Sequence, residues 1–161
     1  VELNPHMIAL FKKELLPQFP HKEKVHIVEG NALTYIMAQE DAAFDYGFSD
    51  FWGGLSDGLP LYLSFAKGCA RFRHTIHDYW IENTFIDYYF RPAVMIFLME
   101  KVLGRKERPL DQGKKASGIL RKFISFLEKE PFTLEKEEDI YHLLDRKTLV
   151  RVVRKFAACC L

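Results

Sequence analysis

The chain has 161 residues, which fits one ordinary domain. Hydrophobic residues make up 48% of it and fourteen are Phe, enough to bury a core, so an intrinsically disordered chain is excluded. A formal net charge of +1 argues against a dedicated nucleic-acid binder.

Asn4 and Pro5 form a helix start, a cap residue followed by Pro at the first helical position. Met7, Ile8, Phe11 and Leu15 then recur at helical spacing, and Pro17 and Pro20 end the segment. Val25-His26-Ile27-Val28 reads as a short strand closed by Gly30, and Asn31 caps a second helix through Leu33, Ile36 and Met37. Phe44 to Ser49 reads as a further strand ending at Asp50. Gly53, Gly54 and Gly58 loosen the next loop. Asp57 is expected to cap a helix with Pro60 in its first turn and Leu61, Tyr62 and Phe65 along it. Residues 1–68 thus alternate strand end and helix with short connections, the pattern of parallel βαβ units.

Beyond residue 70 the pattern changes. Trp80, Ile81, Phe85, Ile86, Tyr89 and Phe90 predict a buried helix, kinked or restarted by Pro92. Ala93–Leu103 fits a buried helix or a buried strand, since periodicity does not separate the two. Gly104 to Gly113 is a polar connector containing Pro109. Leu120, Phe123 and Leu127 mark one amphipathic helix, stopped by Pro131; Ile140, Leu143 and Leu144 mark a short one. Leu149, Val152, Val153 and Phe156 form a clean stripe for the last. The expected fold is α/β: a partial Rossmann-like parallel sheet over residues 1–104, followed by a mostly helical extension over 105–161.

Charge follows that division. Residues 105–161 hold fourteen Lys/Arg against nine Asp/Glu, and residues 1–104 hold nine against thirteen. A solvated helical face explains the basic tail more simply than a partner surface does. Cys69, Cys159 and Cys160 are odd in number and match no zinc spacing, which suits reduced thiols in a cytoplasmic protein. No signal-peptide pattern is visible, and the longest apolar run, Ala93–Met99, is far too short to cross a bilayer. The opening Val1-Glu2-Leu3-Asn4 reads as a strand end, as in a chain trimmed from a longer protein.

In an open parallel sheet, ligands bind beyond the carboxyl ends of the strands. Those ends carry Glu2, then Glu29-Gly30-Asn31, then Ser49-Asp50-Phe51-Trp52. A Glu2 carboxylate suits the vicinal hydroxyls of a ribose. Asn31 suits an adenine edge, and the N–H groups that open the helix at Ala32 suit a ring nitrogen. Asp50 suits an amine or a proton in transfer. Phe51 and Trp52 suit stacking on a base or cation. Each has a plainer reading, as a turn former, a helix cap or core. His74, His77, Asp78 and Glu82 are potential metal ligands, but such residues are common in polar stretches and no metal is expected.

Val1-Glu2-Leu3-Asn4-Pro5 with Ile8, Val28-Glu29-Gly30-Asn31-Ala32, and Phe44-Asp45-Tyr46 through Ser49-Asp50 together resemble class I S-adenosylmethionine-dependent methyltransferases and spermidine synthase-like proteins. The resemblance spans roughly residues 1–68 and lacks the family's first, central strand and its glycine-rich loop. It departs at Asn31, where the family has Asp. It implies an S-adenosylmethionine cofactor held by Glu2, Asn31 and Ala32, and Asp50, with Phe51 and Trp52, at the acceptor. Without that central strand the sheet is left with two unpaired edges, which are expected to pair with another copy as a homo-oligomer or to be covered by a helix. The alternative expectation is a non-catalytic, degenerate Rossmann-like module for protein interaction or oligomerisation.

Overall fold

A computed structural model of the chain describes residues 1–104 and 114–161. Most of the expected connector, Gly104 to Gly113, therefore lies outside the described residues. The architecture is α/β and mostly helical, with a small parallel sheet of two strands. Among the described residues no helix is long and apolar enough to cross a membrane.

Helix α1 (Pro5–Leu10) begins where Asn4 accepts hydrogen bonds from the His6 and Met7 amides. Pro5 takes the first helical position, where a missing N–H costs nothing. A π-helical turn (Phe11–Leu15) and a 3-10 turn (Leu16–Gln18) carry it on to the prolines. The expected strand Val25–Val28 is not formed. The Glu2 amide donates to Val28 O and the Gly30 amide to Glu2 O, each at 3.0 Å, leaving one parallel bridge between Glu2 and Glu29. β-branched residues favour extension, but a strand needs a neighbour along its length, and here one residue supplies it.

Helix α2 (Ala32–Met37) is capped by Asn31, as its sequence predicts. Its last carbonyls are satisfied from afar: Arg71 Nη2 donates to Ile36, Met37 and Gln39 O at 2.9, 2.8 and 2.7 Å. Strand β1 (Tyr46–Ser49) starts two residues later than expected. Helix α3 (Leu55–Cys69) starts earlier. Gly54, not Asp57, sits in its cap position, and Pro60 lies inside the helix rather than in its first turn.

Strand β2 (Ile76–Tyr79) precedes the stretch read as helical from Trp80 and was not expected from the sequence. It runs parallel to β1, from Tyr46 opposite Ile76 to Ser49 opposite Tyr79. Four residues of mixed polarity give no local signal; pairing with β1 makes them a strand. The Thr75 hydroxyl, bonded to Phe44 O at 2.6 Å, sets the register. Trp80, expected in a buried helix, follows β2 and is 64% exposed. Helix α4 (Glu82–Phe85) begins only after it. A π-helical turn (Ile86–Phe90) leads into α5 (Arg91–Leu103), which makes residues 93–103 helical. Pro92 lacks a donor and crowds the preceding turn, and a widened turn accommodates it.

Helices α6 (Lys114–Lys129), α7 (Glu137–Leu144) and α8 (Arg146–Cys160) follow the expected stripes. Leu120, Phe123, Leu127, Leu143, Leu149, Val153 and Phe156 are all buried. One cluster of buried side chains runs from α3 to α8, across residue 104. Phe123 joins its parts, with ring centroids 4.9 Å from Phe90 and 5.2 Å from Phe156. Each such ring contributes about 1.5–3 kcal/mol on burial. Within residues 1–54, by contrast, Ile8 and Ser49 alone are buried.

Candidate functional site

The parallel bridge sets Glu2 beside Glu29, two residues before Asn31. Glu2 Oε1 accepts from the Asn4 amide at 2.7 Å, and Asn31 Oδ1 from the Thr34 amide at 3.1 Å. Both side chains are exposed and Ala32 is half-buried. Each acceptor thus serves a local cap. A carboxylate accepts roughly four hydrogen bonds, so Glu2 keeps capacity for a ligand.

Asp50, Phe51 and Trp52 sit at the end of β1, in the other strand pair. Asp50 is exposed. The rings of Phe51 and Trp52 lie 4.2 Å apart and pack on Phe65, at 4.8 and 6.4 Å. Trp52 Nε1 donates to Ser49 O at 3.1 Å. Both rings are half-buried against the core, so their faces are largely taken by protein.

A buried polar centre lies just beyond the carboxyl end of β2. Glu82, 6% exposed, accepts from Arg154 Nε at 2.8 Å and Arg154 Nη2 at 2.7 Å. The Tyr62 hydroxyl donates to its Oε1 at 2.5 Å. Arg154 Nη2 also donates to His77 O at 2.9 Å, and the guanidinium lies 5.0 Å from the Tyr79 ring centre. Burial opposes charge on Arg154, but the paired Glu82 outweighs it and holds the pKa above its ordinary value. Burial, reinforced by the Glu82 charge, pushes Tyr62 well above its own. Arg154 is thus held charged and Tyr62 neutral, and the centre clamps α3, α4 and α8 together. No motif announced it, because its members lie 20 and 72 residues apart. The signal available was weak: one acid and one arginine at core-facing positions of apolar stretches.

The four potential metal ligands do not converge, and among the described residues no group of three His, Cys, Asp or Glu could hold a metal. His77 and Asp78 alternate across β2, and Glu82 is spent on Arg154. His77 Nε2 is buried without a hydrogen-bond partner among the described residues. Burial, aided by Arg154, lowers its pKa. Cys69 is buried, and burial raises its thiol pKa, which leaves it a poor nucleophile.

A cleft of about 870 Å³ opens beside this clamp. Phe48, Asp78 and Trp80 form one wall; Arg146, Lys147, Val150 and Arg151 of α8 form the other. Arg146 is paired with Asp87 at 3.0 Å.

No family model matches the chain, and no curated protein or solved structure matches it either.

Proposed function

We propose that the Glu2–Asn31 end of this chain is the nucleoside half of an S-adenosylmethionine-type site, in a methyltransferase-like or aminopropyltransferase-like protein. The observation that supports the reading is the parallel bridge between Glu2 and Glu29, which sets Glu2 beside the residues leading to Asn31 and Ala32. There Glu2 would accept from ribose hydroxyls, Asn31 would meet an adenine edge and an amide at the start of α2 would donate to a ring nitrogen. These residues fit a nucleoside. Gly30 beside them faces open space, so they supply no cradle for the rest of the cofactor. Two separate parallel pairs, Glu2 with Glu29 and β1 with β2, also accord with a sheet whose central strand stands between them. When bound, the cofactor supplies an electrophilic carbon on a sulfonium, which leaves as a thioether. Asp50, exposed at the end of β1, orients the acceptor or takes its proton.

Calorimetric titration of the intact protein with S-adenosylhomocysteine tests this. Heat that disappears in Glu2→Ala supports it; no heat from protein shown to be folded rejects it. The competing reading is a non-catalytic module of the same ancestry. The local caps made by Glu2 Oε1 and Asn31 Oδ1 favour that reading, since they explain both residues without a ligand.

A further inference from the structure

We propose that the outer face of the β1–β2 sheet, with the cleft along α8, is a docking site for an acidic amphipathic helix of a partner protein. The proposal is independent of nucleoside binding at Glu2 and Asn31. Side chains alternate between the faces of a strand. Ser49 and Tyr79 turn inward and are buried, and the Tyr79 ring packs on Tyr62 and Phe65 of α3. Tyr46, Phe48, Ile76 and Asp78 turn outward, and Trp80 continues their row. The four apolar members are 54%, 59%, 66% and 64% exposed. The row is continuous, because the Tyr46 hydroxyl donates to Asp78 Oδ2 at 2.9 Å.

Parallel sheets are built with helices on both faces. Here α3 covers one face, and among the described residues the outward side chains of the other face are exposed. A sheet face has its backbone groups already paired, so it offers side-chain ridges, which suit the apolar stripe of a helix. The charge along one side selects the partner. Lys147 and Arg151 lie one turn apart on α8, line the cleft and are exposed. Among the described residues no carboxylate lies within ion-pair range of either, whereas Arg154 is paired with Glu82 and Arg146 shares Asp87 with Arg91. Asp78 adds one negative charge in the cleft and is held by Tyr46. A helix with acidic residues flanking its apolar stripe therefore meets hydrophobic surface on one side and two uncompensated cations on the other. A second copy docking by this same face would bring like charge toward like charge.

The test uses a synthetic amphipathic peptide of roughly 18 residues, long enough to hold a helix. Its stripe is Leu and Phe and its flanks are Glu; a matched peptide carries Lys for every Glu. Trp80 fluorescence reports binding, and Trp80→Phe separates its signal from that of Trp52. The expected result is saturable, salt-sensitive binding of the Glu peptide with a blue shift, and none of the Lys peptide. Lys147→Glu with Arg151→Glu should weaken binding roughly tenfold or more. Phe48→Ser with Ile76→Ser should weaken it too, with circular dichroism showing both variants folded. No binding of the Glu peptide, equal binding of both peptides, or indifference to both variant pairs overturns the proposal. So does burial of Trp80 by self-association in sedimentation, or by RNA or anionic vesicles when the Glu peptide leaves it exposed.

Discussion

Arg154 and Glu82 make two hydrogen bonds of 2.8 and 2.7 Å across 72 residues of sequence, tying the last helix to the end of β2. Glu82 is buried, so its charge is tolerable only while the guanidinium faces it. Tyr62 adds a third bond to the same carboxylate, so α3, α4 and α8 converge on one group.

Arg154→Met should therefore lower unfolding free energy by about 3 kcal/mol in urea denaturation, because it strands a buried carboxylate. Replacing Arg154, Glu82 and Tyr62 together by Met, Met and Phe should recover most of that loss. Equal destabilisation in the single and triple variants would show that the pair matters only through packing.

His77 gives stability a pH dependence of definite sign. Its side chain lies among Phe72, Tyr79 and Arg154, and burial lowers its pKa below the ordinary 6.5. The unfolded chain then binds the proton more readily than the folded one. This contribution to stability is intact above pH 6.5 and is lost as pH falls from there through the folded value. In His77→Gln, the drop in stability between neutral pH and mild acid should shrink. An unchanged drop, with the parent measured alongside, would place the acid sensitivity elsewhere.

The three thiols should behave as two classes. Cys159 and Cys160 are exposed on the last turn of α8, and Cys69 is buried with a raised pKa. A thiol reagent at neutral pH should label the exposed two quickly and Cys69 only at the rate of unfolding. Labelling of all three in one fast phase would contradict the burial of α3.

Two glycines in helices should respond oppositely to Ala. A Cβ at Gly58 would stand 3.0 Å from Phe85 Cζ, and Phe85 is fully buried between Tyr62 and Tyr89. Overpacking should outweigh the gain in helix propensity, a net loss of about 1 kcal/mol. At Gly118 in α6 a Cβ meets nothing within 4 Å, so Gly118→Ala should raise stability by up to about 1 kcal/mol. Thermal melts of the two variants check both signs.

The elements most legible in the sequence were those whose cause is local. The caps at Asn4 and Asn31 act within three residues, and the stripes of α6 and α8 are periods of a single helix. Those features determined where α1, α2, α6, α7 and α8 lie and which faces α6, α7 and α8 bury. The sequence also reached as far as a resemblance to a nucleoside-binding family, carried in part by Glu2 and Asn31.

What the tertiary structure decided was everything that needs a distant partner. Ile76–Tyr79 is a strand because β1 lies beside it, and Val25–Val28 is not, because one residue cannot support a ladder. The Tyr62–Glu82–Arg154 clamp, the exposure of Trp80 and the exposed sheet face beside Lys147 and Arg151 have no local signature. Helix periodicity and capping are written into neighbouring residues, whereas strand pairing and buried ion pairs are set by which segments meet in space.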